Sequence, residues 1–165
     1  MLDIIFIQET KWSIQKIKQI HKKWLNNFEF LEVKAENTAG GILTLWNPLK
    51  IIIVDAEATR NYLSAIIQPM GMSETFLVTN VYGPQRIDEK ISFLSSLVDL
   101  RSRHKEIPWV LGGDFNMIKS LSEKKGGTRI LSKDAAGFHS FTEDMNMVDS
   151  EVQNGIFYME QQKRR

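Results

Sequence analysis

The 165-residue chain contains no cysteine, which excludes disulfide staples, zinc fingers and thiol catalysis. Histidine is scarce: His21, His104 and His139 stand singly, which argues against a histidine-rich metal centre. No apolar run approaches the ~18 residues needed to span a bilayer, so no membrane partner is expected. No basic segment precedes the apolar start Met1–Ile7. That stretch runs straight into Gln8-Glu9 and reads as a buried strand rather than a signal peptide. These absences together predict an intracellular protein, nuclear or cytoplasmic. No charge of one sign dominates: the net charge is +1, which neither demands nor forbids a nucleic-acid partner. Basic residues cluster at Lys16, Lys18, Lys22 and Lys23, at Lys119, Lys124, Lys125, Arg129 and Lys133, and at Lys163, Arg164 and Arg165. Each cluster taken alone reads as solvated surface charge.

What is present is an ordinary globular composition, 42% apolar and 25% charged, in a length that suits one domain. Leu2 to Ile7 is a continuous apolar run, predicting a strand buried on both faces. Ser13 is a candidate cap for a helix carrying Ile14, Ile17, Ile20 or His21, Trp24 and Leu25 on one side. Strands are predicted at Phe28–Val33, Ile42–Trp46, Ile51–Val54, Leu63–Ile67 and Thr75–Val81. Turn signals divide them, among them Gly40-Gly41, Asn47-Pro48 and Arg60-Asn61. Ile87, Ile91, Leu94, Leu97 and Val98 predict an amphipathic helix. Trp109-Val110-Leu111 predicts a short buried strand ended by Gly112-Gly113. Ser132 and Asp134 open a last helix with Ala135, Phe138, Phe141 and Met145 on one face. Hairpin-like strands mixed with widely spaced helices suggest two packed sheets with helices outside.

Three segments place polar groups at strand ends, where ligand sites commonly form. They are Gln8-Glu9-Thr10-Lys11, Asn80-Val81-Tyr82-Gly83-Pro84 and Gly112-Gly113-Asp114-Phe115-Asn116. The residue types suit phosphodiester cleavage. A hard cation such as Mg²⁺ needs one or two carboxylates plus water and substrate phosphate, and Glu9 is a candidate ligand. Asp114 is a candidate to orient or deprotonate the attacking water. Asn116, two residues on, falls on the same side as Asp114 if the segment is extended. Tyr82 is a candidate donor to charge developing on the phosphoryl group. Each has a plain structural alternative. Glu9 can cap or sit in solvent, Asp114 and Asn116 can form an Asx turn, and Tyr82 can be an ordinary turn tyrosine.

In this order the segments resemble the endonuclease/exonuclease/phosphatase superfamily, and within it most nearly the endonuclease domain of plant non-LTR (LINE-type) retrotransposons. Asp3–Lys11 resembles the family's metal-glutamate strand, and Ala39-Gly40-Gly41-Ile42 with Leu45-Trp46 its next landmark. Gly112–Asn116 resembles its most specific signature. Ser122–Gly127 and Met147-Val148-Asp149 resemble the plant branch. The resemblance implies an α/β (α+β) fold, a four-layer αββα sandwich. It implies Mg²⁺-dependent nicking of DNA (Mn²⁺ being the alternative ion) that leaves a 3′ hydroxyl, with no small organic cofactor. Glu9 would hold the metal, with Tyr82, Asp114 and Asn116 catalytic. Lys11, Lys124, Lys125 and Arg129 would contact DNA.

The chain departs from the family pattern at both ends. The family's first strand, with an asparagine near the metal, and its C-terminal Asp-His pair have no counterpart, and none of the three histidines stands in such a context. After Gly155-Ile156-Phe157 the pattern gives way to Tyr158–Arg165, which reads as a frame change, splice junction or truncated copy. The expectation is a partial domain over 1–157 with a divergent polar tail over 158–165, an incomplete sandwich with unpaired sheet edges and little or no activity. Three alternatives stand beside it: a fragment of a longer active phosphodiesterase, a non-catalytic nucleic-acid-binding remnant using Lys119 to Lys133, and a small-phosphate phosphatase.

Overall fold

The computed structural model describes residues 3–11, 13–35, 40–117 and 133–148. In chain order these form β1 (Ile4–Gln8), α1 (Ile14–Trp24), β2 (Glu29–Val33), β3 (Ile42–Trp46), β4 (Ile51–Ala58), β5 (Tyr62–Pro69), β6 (Phe76–Tyr82), α2 (Ile87–Arg103), β7 (Trp109–Asp114) and α3 (Lys133–Asp144). One sheet has the order β1-β3-β2 and is antiparallel throughout. The other has the order β4-β5-β6-β7, antiparallel except for the parallel pair β6–β7. A parallel pair needs a long crossover, and α2 supplies it.

Strand alternation sorts the side chains into three apolar layers. Leu43 and Leu45 of β3, with Ile5 and Ile7 of β1, pack on Ile17 of α1. Trp46, Ile4 and Phe6 turn the other way and meet Ile51, Ala65, Ile67 and Val78 of the second sheet. Leu77, Val81 and Tyr62 then face Phe93, Leu97 and Leu100 of α2 and Phe138 and Phe141 of α3. The architecture is therefore the expected αββα sandwich, with both sheets between helices. Among the described residues, no helix is long and apolar enough to cross a membrane.

One polar group crosses the middle layer. Asn80 of β6 is fully buried. Its Nδ2 donates to the Leu43 carbonyl (3.0 Å) and the Thr44 hydroxyl (3.1 Å) of β3. Its Oδ1 accepts from Gln8 Nε2 of β1 at 2.6 Å. A buried amide satisfied this way sets the position of one sheet over the other. Phe6 lies against Gly112, where a Cβ would come within 3.0 Å of the ring, so the missing side chain lets β1 sit close over β7.

Several expectations change. β1 packs on both faces but is only half-buried, and it pairs only with β3 among the described residues. α2 forms as expected, with Leu97 buried and Leu94 packed on the core, but its inward face is rotated: Lys90, Phe93 and Leu100 are also buried, whereas Ile87 is 67% and Ile91 76% exposed. Both stripes keep helical spacing, so packing against the sheet and α3, not the period, decides which one is buried. β7 runs through both glycines to Asp114, and Val110 is exposed, since only Trp109 and Leu111 point toward the helices. Ser13 caps α1 as expected, its Oγ accepting from the Lys16 N–H at 3.3 Å. Ala39, Lys119, Lys124, Lys125, Arg129, Ser132, Asp149 and the segments 122–127 and 158–165 lie outside the described residues, as do the side chains of Trp24, Asp134 and Ala135.

Replacing Asn80 with Ala orphans polar groups in the dry layer between sheets, at ~1–3 kcal/mol for a buried group left unsatisfied. We expect Asn80→Ala to lose about 3 kcal/mol of unfolding free energy in urea titration. A loss below about 1 kcal/mol would show that the amide bridge does not hold the sheets in place.

Candidate active site

The C-terminal ends of β1, β6 and β7 meet at one end of the sandwich. The Gln8–Asn80 bond brings the end of β1 over β6, and the β6–β7 register sets Tyr82 beside Asp114. Beyond the strand ends the two loops stay joined. The Gly83 N–H donates to the Asp114 carbonyl at 2.7 Å, and Asn116 Nδ2 donates to the Gly83 carbonyl at 2.7 Å. A Cβ on Gly83 would overlap the Phe115 carbonyl, so only glycine permits this approach. Gly113, at φ 132°, likewise sits against the Val81 backbone.

Asp114 and Asn116 do not lie on one side of an extended segment. Asn116 turns into the left-handed region (φ 53°), and its N–H donates to Asp114 Oδ1 at 2.9 Å. This is the Asx turn that the residue pair alone suggests. It sets the rotation of the Asp114 carboxylate, while the Asn116 amide ties the β7 loop to the β6 loop.

Backbone strain gathers here. Among the described residues four non-glycine positions have positive φ, and three belong to this site: Glu9 (55°), Lys11 (51°) and Asn116 (53°). Such conformations cost on the order of 1 kcal/mol or more and persist where surrounding structure enforces them. The enforcement is visible at β1. The Thr10 and Lys11 N–H groups donate to the Gly41 and Gly40 carbonyls, both at 3.3 Å. Thr10 is buried, and Glu9 and Lys11 on either side of it turn outward, Lys11 Nζ lying 3.0 Å from Glu9 Oε1.

Tyr82 links the parts. Its hydroxyl is held above its ordinary value, first by burial, then by the neighbouring Glu9 carboxylate, with Asp114 adding to the effect. A phenol that feels both carboxylates stays protonated and remains a hydrogen-bond donor. Its backbone is clamped from the β4–β5 turn: Asn61 accepts from the Tyr82 N–H at 2.8 Å and donates from Nδ2 to the Tyr82 carbonyl at 3.0 Å.

Glu9, Lys11, Tyr82 and Gly83 line a cleft of about 410 Å³. Asp114 and Asn116 are not in its lining and reach its wall through Tyr82 and Gly83. Lys34, Arg60, Asn61, Arg86 and Glu89 also line it, and the sequence reading had not singled them out. Arg60-Asn61 carried only a turn signal, and Lys34 and Arg86 stood outside every basic cluster. Four basic side chains against two acidic ones make the lining cationic, although Arg86 is partly committed to Asp88 at 2.8 Å. No histidine lines the cleft among the described residues. His21 bonds the Phe28 carbonyl, His104 follows α2, and His139 pairs with Glu143 on α3.

The donor set also tests the expected metal. Among the described residues no three His, Cys, Asp or Glu side chains gather to hold an ion, so no all-protein cage exists there. Glu9, half-exposed on a cleft with room for water and phosphate, fits a hydrated hard cation, which can be held by one carboxylate with water and phosphate.

No family model matches the sequence, and no curated protein matches it. Solved structures do. The catalytic domain of human Nocturnin, with bound sulfate, superposes with TM-score 0.54 at 14% identity, over 71% of this chain and 52% of that one. An endonuclease/exonuclease/phosphatase family protein from Bacteroides thetaiotaomicron gives 0.58 at 14% identity, over 72% and 51%. The mannosyl-6-phosphatase Bt3783 of the same organism gives 0.58 at 15%, over 84% and 56%. The chain thus has the endonuclease/exonuclease/phosphatase fold and spans about half the length of these neighbours.

NMR titration of ring-labelled tyrosines checks the electrostatics. Tyr82 should titrate above 10.0, and Tyr62, raised by burial and by Glu57, at about 12. Because the folded state favours the neutral phenols, their contribution to stability is complete below pH 10 and falls as pH rises through the folded-state values. Glu9→Gln should bring the Tyr82 midpoint down, and an unchanged midpoint would refute the Glu9–Tyr82 contact.

Proposed function

We propose that this cleft is the inner part of a divalent-metal phosphodiesterase site in a domain derived from the endonuclease of a plant LINE-type retrotransposon, with DNA as its substrate class. The observation that carries the reading is Tyr82, a protonated phenol between Glu9 and Asp114 on a cation-rich wall. The retroelement branch is supported by sequence motifs alone, with Gly112–Asn116 the most specific.

Mg²⁺ or Mn²⁺ held at Glu9 would supply positive charge to a phosphate oxygen. The remaining work falls to the chain. Tyr82 donates its hydroxyl proton in a hydrogen bond to the phosphoryl oxygens, where charge grows in the transition state. Asp114, behind the Tyr82 wall with its carboxylate set by the Asn116 N–H, would orient the attacking water and accept its proton at the inner end of the cleft. Asn116 acts chiefly by holding the β6 and β7 loops together. Lys34, Arg60 and Arg86 offset the charge of a polyanion, which favours a phosphodiester chain over a small monoester. No described histidine reaches the cleft to assist the leaving group, so turnover by this chain is expected to be several orders of magnitude below that of a complete catalytic set.

Supercoiled-plasmid nicking in Mg²⁺ tests this reading, with a sugar phosphate as the competing substrate. The expected result is slow nicking, lost in Glu9→Ala and Asp114→Ala, with no phosphate released from the sugar. Robust nicking lost in both variants would retain the site and overturn the impairment. Nicking unchanged in both variants would remove the site itself, and release of sugar phosphate alone would favour the phosphatase reading.

A further inference from the structure

Glu9 already has a cation. Lys11 Nζ lies 3.0 Å from Glu9 Oε1, and both side chains are about half exposed, 50% and 47%. The pairing is built into the backbone. Thr10 is buried between them, both flanking residues occupy the left-handed region, and the Lys11 N–H is anchored to Gly40. In the ordinary extended conformation residues two apart point the same way along a strand. Here both residues leave the extended conformation, and ammonium and carboxylate still meet at the mouth of the cleft.

We infer that Lys11 is the exchangeable counter-cation of Glu9: an ion taking the carboxylate displaces the ammonium, which then turns to the substrate phosphate. The inference rests on reading Glu9 as the metal ligand. Three features support exchange over a permanent salt bridge. An exposed Lys–Glu pair is weak. A lysine ammonium is a compact, hydrated point charge on a flexible stem, easily swung to a new partner. A divalent ion on the Glu9 carboxylate and the Lys11 ammonium beside it carry like charge and repel, which weakens the pair once the ion is bound. The Glu9 charge is thus compensated in both states, and Lys11 gives metal and phosphate binding a shared cost and a shared gain.

The experiment measures Mn²⁺ binding by EPR of the free ion, on the full chain, with folding checked by circular dichroism. Lys11→Met should tighten Mn²⁺ by roughly two- to five-fold, the worth of an exposed pair. Lys34→Met removes the same charge from the cleft wall without touching Glu9 and should shift affinity by less than half as much. Lys11→Gln should repeat the Lys11→Met result if the latter fails to fold. Fluorescence anisotropy with a labelled DNA duplex reads the second half: Ca²⁺ should improve wild-type affinity at least two-fold more than it improves that of Lys11→Met. Equal Mn²⁺ shifts for the Lys11 and Lys34 variants, no tightening in the Lys11 variants, or equal Ca²⁺ gains would overturn the exchange. Glu9→Gln separates the two ideas. If it binds Mn²⁺ as wild type does, the metal reading fails; if it does not bind while Lys11→Met leaves affinity unchanged, only the exchange fails.

Discussion

Asn80 is a primary amide with no exposure to solvent, and its three hydrogen bonds reach β1 and β3 of the opposite sheet. Apolar packing between sheets is non-directional and tolerates sliding; a buried amide does not, because each shift leaves a polar group unpaired. The Asn80 bridge therefore decides which part of β1 lies over which part of β6. Through Gln8 it delivers the chain to Glu9 beside Tyr82, two residues beyond Asn80 on the same strand face. Phe6 against the bare backbone of Gly112 sets the same alignment from the β7 side. On the outer face of β6, Thr79 bonds Ser64 at 2.8 Å and Trp109 at 2.9 Å, which ties β5, β6 and β7 into one rigid platform.

On that platform the site is assembled from conformations that each cost free energy. Glu9, Lys11 and Asn116 have left-handed backbones, Gly83 and Gly113 sit where no side chain fits, and the Tyr82 phenol lies in the field of two carboxylates. Turn geometry, backbone anchors at Gly40 and Gly41, and the Asn61 clamp on Tyr82 hold these in place. The far corner is secured separately. Arg103 at the end of α2 grips Glu57 of β4 through both carboxylate oxygens, at 2.6 and 2.7 Å, and Tyr62 bonds the same carboxylate at 2.9 Å. That network braces the crossover helix on the sheet, and so the parallel β6–β7 pair that presents Tyr82 and Asp114.

Local pattern made most elements legible. β3 begins at Ile42 and ends at Trp46 as its apolar run does, and Ser13 caps α1 because its hydroxyl meets a free N–H of the first turn. The errors arose where burial depends on neighbours. Ile87 and Ile91 are apolar but point away from the sheet, while Lys90 is buried. Val110 is apolar but stands on the face of β7 away from the helices. Asp114 and Asn116 were legible as an Asx turn, but the tie from that turn to the Gly83 carbonyl, thirty-three residues away in sequence, was not.

The sequence by itself determined the chemistry on offer and its order: no thiols, scarce histidine, a glutamate, a tyrosine and an Asp-Phe-Asn at three strand ends. Hydrophobic period and turn residues act over a few positions, so they also determined the strands, helices and layer class. Tertiary structure alone decided that Glu9 faces Lys11 and Tyr82, that Asp114 stands behind the cleft rather than in its lining, and that Lys34, Arg60 and Arg86 make that lining cationic. Apart from the local Glu9–Lys11 pair, these are contacts between segments tens of residues apart, and they come into being only when a buried amide and a handful of glycines bring the segments together.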